Sequence, residues 1–231
     1  MKKWPFAEVK RLLFVGAHPD DLETIVGGTI YQMTQRGVEV VEVLCTDGNI
    51  GTQEVDKYTR RSLASARRKE TRAAAKFLGV GEVVFLGHDD GELEPSLALR
   101  AELAKVYRQF QPDTLMCFDP EVRGHPDHRA AGRAATDALI PSSMPLYHPE
   151  QLRHGLKPAS IKRTFVFGGR PAKRSAIYVD IGDTWDVKME SLRLHACQFG
   201  RPDFNFEWLE KWMRNQGKGI KARYAEIVRP W

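Results

Sequence analysis

Residues 16–28 read Gly-Ala-His-Pro-Asp-Asp-Leu-Glu-Thr-Ile-Val-Gly-Gly, directly after the apolar run Leu-Leu-Phe-Val. His18, Asp20, Asp21 and Glu23 thus crowd into six residues at the end of a buried-looking segment. Such charge density is costly to bury unless solvent, hydrogen bonds or a metal ion compensate it. A second cluster, Arg-Gly-His-Pro-Asp-His-Arg-Ala-Ala-Gly, spans residues 123–132. His125 and His128 stand three apart at a helix start, so both can face one side. His18 and Asp21 are also three apart. Two imidazoles and a carboxylate form a catalytic zinc set with an open position for water. The same set serves iron(II), so ligand type does not select the metal. Of His18, Asp20, Asp21, His125 and His128, three suffice as ligands, which leaves the others for proton chemistry. Taken singly, His-Pro-Asp-Asp also suits a strand-ending turn and His-Pro-Asp-His a helix start. Their joint presence favours a metal centre.

The elements between these clusters alternate. Residues 11–17, 38–45, 82–87 and 113–118 read as strands. Residues 24–36, 59–78, 96–110 and 126–139 read as helices. This order predicts an α/β, Rossmann-like, mostly parallel sheet flanked by helices. Residues 141–158 read as loop. Residues 161–167 and 175–181 add a C-terminal strand pair, followed by helices over 183–198 and 204–216. Each polar cluster follows a strand. In an open parallel sheet that carboxyl edge is where ligands bind. One domain over residues 1–231 is expected.

Composition narrows the function classes. A net charge of +5 permits an anionic substrate without requiring nucleic acid. The densest basic stretch, residues 60–72, shows apolar residues at helical spacing, so most of its arginines belong on a solvated face. No apolar run reaches membrane-helix length, and residues 1–16 lack a signal-peptide pattern. Three scattered cysteines suggest neither a disulfide framework nor a metal knuckle, which fits a reduced cytoplasmic protein. No G-x-G-x-x-G follows the first strand and no G-x-x-x-x-G-K-[ST] occurs, which argues against nucleotide binding.

Ala-His-Pro-Asp-Asp-Leu-Glu, then Gly-Gly-Thr, Thr-Asp-Gly and His-Pro-Asp-His, in this order, resemble the LmbE/PIG-L family of zinc-dependent deacetylases. These remove acetyl groups from N-acetylglucosamine-type sugars in the mycothiol, bacillithiol, chitobiose and glycosylphosphatidylinositol pathways. Weaker similarities follow at Arg67–Glu70, Asp90–Leu93, Lys188, His195–Gln198 and Gly219–Glu226. Cys197 stands where the family often has serine, and Leu22 separates Asp21 from Glu23, an insertion some relatives share. The resemblance implies His18, Asp21 and His128 as zinc ligands, Asp20 as general base and His125, protonated, as oxyanion stabiliser. Zinc would lower the pKa of a bound water and polarise the amide carbonyl. A nearby cation should keep the Asp20 pKa low.

Four further residues are substrate-binding candidates, each with a plainer reading. Arg67 would bind a sugar hydroxyl or an acidic group, or else pair with Glu70 along its helix. Asp47 and Asp90 would bind hydroxyls or only shape turns. His195 would reach the site from above, or serve as a structural histidine. Glu23 would orient a metal-bound histidine, or simply begin a helix. Aglycone contacts are expected from residues 141–174, and Trp208, Trp212 and Trp231 suggest a homo-oligomer. Two alternatives are a non-catalytic carbohydrate- or nucleotide-binding module and an amidohydrolase for a non-sugar acylated amine.

Overall fold

The computed structural model describes residues 4–169, 175–201 and 204–231. Its strands are β1 (Arg11–Gly16), β2 (Glu39–Thr46), β3 (Glu82–His88), β4 (Thr114–Phe118), β5 (Arg163–Phe167), β6 (Ile177–Asp180) and β7 (Ala225–Pro230). They form one sheet in the order β3-β2-β1-β4-β5-β7-β6. The first five strands run parallel, and β7 is antiparallel to both β5 and β6. Helices α1 (Asp21–Thr34), α2 (Arg60–Leu78), α3 (Leu97–Phe110) and α4 (Pro126–Asp137) connect the parallel strands. Short helices α5 (Leu139–Ser143) and α6 (Pro149–Arg153) follow, then α7 (Trp185–Arg193), α8 (Ala196–Phe199) and α9 (Glu207–Gly217).

The central strand β1 is buried from Leu12 to Gly16, as an apolar run covered on both faces must be. From β1 the chain winds outward through β2 and β3 on one side, then returns to place β4 and β5 on the other. The reversal lies between β1 and β4, whose register pairs Leu12 with Thr114 and Val15 with Cys117. The crevice at such a reversal is the standard ligand position in open α/β sheets. The loops carrying His18 and His125 therefore start side by side.

Local chemistry explains the boundaries. Thr59 caps α2 reciprocally with Ser62, and Ser96 caps α3 by accepting the Leu99 N–H. Gly79 ends α2 in the left-handed conformation. Three expectations are corrected. The strands over 161–167 and 175–181 do not pair with each other. β5 joins the parallel sheet beside β4, and β7, which the sequence did not suggest, lies between β5 and β6. Residues 141–158 contain α6 and most of α5 rather than loop alone. The helix over 183–198 breaks after Arg193, where His195 turns inward to full burial.

The helix after the first polar cluster is also interrupted. Val26 of α1 leaves helical geometry at φ −134° and ψ 15°. A buried ion pair fills the gap. Lys188 Nζ donates to the Glu23 carbonyl at 2.7 Å, the Thr24 carbonyl at 2.8 Å and Glu226 Oε1 at 2.7 Å. Glu226 accepts the N–H groups of Gly28 and Thr29 at 3.1 and 2.7 Å. Lys188 thus ends one helical segment and Glu226 starts the next, so four backbone groups at the break gain a charged partner. Burial pushes the Lys188 pKa down while Glu226 opposes the shift. Lys188→Met is expected to lower unfolding stability by about 3–5 kcal/mol, since it strands the Glu226 charge. Urea denaturation measures this, and a loss below about 1 kcal/mol would show that the pair does not hold the break.

Candidate active site

The site begins with a strained residue. Asp20 precedes α1 at φ 96° and ψ −10°, a left-handed conformation that costs free energy outside glycine and clusters at functional sites. The turn folds Asp21 back on its own loop. Asp21 Oδ2 accepts the N–H groups of Ala17 and His18, both at 2.8 Å. Its Oδ1 faces His128 Nε2 at 3.3 Å. From β1 the His18 ring reaches across so that its Nδ1 lies 3.2 Å from His128 Nε2. His128, on the first turn of α4, stacks on Phe118 with ring centres 4.0 Å apart. Gly132 lets α4 approach β4 this closely, because a Cβ there would meet the Phe118 carbonyl oxygen at 2.4 Å.

His18, Asp21 and His128 fit a metal ion. Their donor atoms converge, and a tetrahedral site with bonds near 2.0–2.1 Å has edges of about 3.3 Å. The other ring nitrogen of His18 faces carboxylates, with Asp90 Oδ1 at 3.1 Å and Asp127 Oδ2 at 3.3 Å. These acids place the proton on Nε2 and leave the Nδ1 lone pair pointing at His128 and Asp21, where a cation is the natural partner. Burial opposes a charge on His18, yet Asp127, Asp90 and Asp21 raise its pKa to about 10. Burial also opposes ionisation of Asp21, but His128 and His18 hold its pKa at about 2. The carboxylates of Asp21, Asp90 and Asp127 around His18 thus favour positive charge where the donors meet.

Asp20 lies beside them. Its carboxylate contacts Arg67 Nη2 at 3.4 Å, and the same nitrogen donates to the Pro19 carbonyl at 2.6 Å. Burial raises the Asp20 pKa to about 6 against the pull of Arg67. It is still mostly ionised at neutral pH, in the range that suits a general base. His125 caps α4, and its Nδ1 accepts the Asp127 N–H at 3.2 Å. In that arrangement Nδ1 is the acceptor, which favours the tautomer with its N–H at Nε2. Burial and the neighbouring His18 lower its pKa in the same sense.

A cavity of about 310 Å³ opens on His18, Asp20, Asp21, His125 and His128, with Arg67 and Asp90 in its wall. Arg67 makes no pair with Glu70, which accepts the Cys197 N–H instead. Asp90 lines the cavity while orienting His18. The other candidates fall outside it. Asp47 is engaged by Arg68 through two hydrogen bonds of 2.7 and 2.5 Å, so it shapes the loop after β2 rather than facing a substrate. His195 is fully buried and forms an ion pair with Glu23 at 3.4 Å. Burial opposes its charge, but Glu23 and Asp20 raise its pKa. Glu23 therefore partners His195 and not a metal-facing histidine, and the orienting part expected of it falls to Asp90 and Asp127. None of residues 141–169 lines this cavity, and residues 170–174 lie outside the described residues. Asp127 was missed as an orienting residue. Its signal was its place between two histidines, since a ligating imidazole usually donates to a carboxylate.

Sequence comparison decides the family. The model of the PIG-L family, GlcNAc-PI de-N-acetylase, matches residues 13–139, more than half of the chain. The chain belongs to the PIG-L family. Among PIG-L relatives, the diacetylchitobiose deacetylase of Thermococcus kodakarensis is 35% identical over 97% of this chain and 84% of its own length. The 1D-myo-inositol 2-acetamido-2-deoxy-alpha-D-glucopyranoside deacetylase 1 of Saccharopolyspora erythraea is 31% identical over 92% of this chain and 82% of its own. The structure of the N,N'-diacetylchitobiose deacetylase from Pyrococcus horikoshii, solved with an inhibitor, superposes with a TM-score of 0.91 at 33% identity. It covers 98% of this chain and 85% of that one. The PIG-L match takes in every residue of the convergent cluster, from His18 to His128.

Proposed function

We propose that this chain is a zinc-dependent deacetylase of N-acetyl-amino sugar conjugates, with His18, Asp21 and His128 as ligands. The observation that carries the reading is the convergence of these three donors in a cavity flanked by Asp20 and His125. The deacetylase names of the relatives supply the reaction class. When bound, a divalent metal supplies a Lewis acid for the amide carbonyl and lowers the pKa of a water.

The protein's own groups do the rest. Asp20 takes a proton from the attacking water as its oxygen bonds to the acetyl carbon. Arg67 fixes the carboxylate in place. His125 donates its Nε2–H to the carbonyl oxygen as negative charge grows there. When the C–N bond breaks, Asp20 returns the proton to the leaving amine, so acetate and a free amino sugar result. Asp90 and Asp127 orient His18 throughout.

A panel of N-acetylglucosamine conjugates and non-sugar acetamides, assayed for amine release, tests the substrate class. Release from the sugars alone supports the reading, and preferential release from non-sugar acetamides would overturn it. Elemental analysis of the purified protein separates zinc from iron. The three free, buried cysteines fit a reducing, cytoplasmic setting. Among the described residues no helix is long and apolar enough to cross a membrane. Exposed Trp212 and Trp231 support self-association, and a light-scattering mass near 26 kDa would contradict it.

A further inference from the structure

Three features of the sequence take no part in the reaction: Gly27-Gly28-Thr29, Lys188 and Glu226. The fold brings them to one point, the break in α1. In a continuous helix the Thr24 carbonyl would accept the Gly28 N–H, and the Ile25 carbonyl the Thr29 N–H. Here Lys188 Nζ takes the Thr24 carbonyl at 2.8 Å, and Glu226 takes the Gly28 and Thr29 N–H groups at 3.1 and 2.7 Å. The ion pair is inserted into the hydrogen-bond ladder, with one member serving each side of the break. Gly28 lets the later segment lie against the turn before α7, because a Cβ there would meet Ile181 Cγ2 at 2.9 Å.

The consequence falls on the segment before the break. Residues 21–25 make little more than one helical turn, which is too short to hold a direction of its own. The Thr24 N–H donates to the Asp20 carbonyl at 2.9 Å, which ties this turn to the base. The turn also carries Asp21, and Thr24 lines the catalytic cavity. Its far end is gripped by Lys188 through the Glu23 and Thr24 carbonyls. The Glu23 side chain is held separately by His195 at 3.4 Å. Both grips come from α7 or the residues just after it. Glu226 is fixed in the sheet, where it lies opposite Val179 of β6. Lys188 and Glu226 are fully buried and meet at 2.7 Å. The direction of the catalytic turn is thus set by an ion pair mounted on a helix and a strand, elements stiffer than a loop.

We infer that Lys188 and Glu226 are positioning residues: together they aim the first turn of α1, so that Asp21 converges with His18 and His128 while Asp20 faces the cavity. This rests on the deacetylase reading above and adds to it the device that places its two carboxylates. Lys188 and Glu226 act only through that turn. A displacement of about 1 Å at a reacting group costs on the order of 10²-fold in rate. A loosened clamp is therefore read in metal affinity and kcat rather than in KM.

The test compares wild type with Glu226→Gln, Lys188→Met and the core variant Leu103→Ala. Leu103 is buried on α3, outside the elements that form the clamp, so its truncation lowers stability without touching the break. Zinc Kd is measured by competition with a chelator. Amine release from an N-acetylglucosamine conjugate gives kcat and KM. Mass spectrometry follows amide hydrogen exchange over residues 21–25, and every assay runs well below the melting temperature of each variant. Glu226→Gln keeps the volume of the side chain and one acceptor. It is expected to raise zinc Kd about 10-fold and lower kcat about 10-fold, with KM within about 2-fold, the scale of one lost charged hydrogen bond. Exchange over residues 21–25 should quicken about 10-fold. Lys188→Met should exceed each of these effects. Leu103→Ala should leave all four quantities within about 2-fold of wild type, as a distant site does. Equal changes in Glu226→Gln and Leu103→Ala would overturn the inference, since a merely structural pair predicts them. So would unchanged zinc Kd and kcat in Glu226→Gln, a result that decides the matter even where Lys188→Met does not fold. If wild type binds zinc but releases no amine, the deacetylase reading fails. Zinc Kd and exchange still judge the clamp, and wild-type values of both in Glu226→Gln reject it.

Discussion

Asp20→Asn is expected to keep its metal and its fold while losing at least about 10² in kcat, the lower end for a lost general base. The geometry separates Asp20 from its neighbour. Asp21 is tied by two backbone N–H groups and presents its remaining oxygen to His128, whereas Asp20 is turned out of line by its left-handed backbone and held by Arg67. Asparagine preserves shape and can accept from Arg67, but it cannot take a proton at neutral pH. Asp21→Asn should instead weaken metal binding before anything else. Metal stoichiometry measured beside kcat distinguishes the two carboxylates. Near wild-type turnover in metal-loaded Asp20→Asn would transfer the base function to His125.

The histidines of the second cluster should divide in the same way. His128→Ala is expected to lose the metal, because His128 Nε2 is the atom common to the short contacts with His18 and Asp21. His125→Ala should retain the metal and lose about 10²–10³ in turnover, as when an oxyanion donor is removed. His125 also caps α4, so its loss carries a stability cost of about 1 kcal/mol. His125→Asn, which can cap and donate, should recover the stability and part of the rate. A metal-free His125→Ala beside a fully loaded His128→Ala would reverse the assignment.

How much of this was legible depended on how local each signal is. The cluster residues declared themselves because the ligands come in contiguous tetrapeptides and the strands that carry them are plain apolar runs. The alternation of elements fixed the sheet edge, and the reversal between β1 and β4 followed once the strand order was known. What the sequence hid was pairing across distance. Glu226 is the second residue of β7 and breaks its apolar pattern, so the strand went unseen; its burial is met by Lys188, 38 residues away. Glu42, fully buried on β2, looks like an ordinary surface residue of an alternating strand. Burial first, then Glu23, raises its pKa well above the usual range. Asp47 and Asp90 looked alike, each acidic and next to glycine after a strand. Only the position of Arg68 one turn of side chain away from Asp47, and of His18 beside Asp90, assigns them to different tasks. His195 and Glu23 were both suspected, but as separate contributors; their partner is each other.

The central claim is that His18, Asp21 and His128 hold one divalent metal without which the amide is not cleaved. The most direct measurement is amine release from an N-acetylglucosamine conjugate by protein stripped with a chelator, dialysed, and titrated with zinc. The account predicts no detectable turnover in the stripped protein, and recovery that saturates at one zinc per chain. Full activity in stripped protein whose metal content is confirmed to be nil would contradict it.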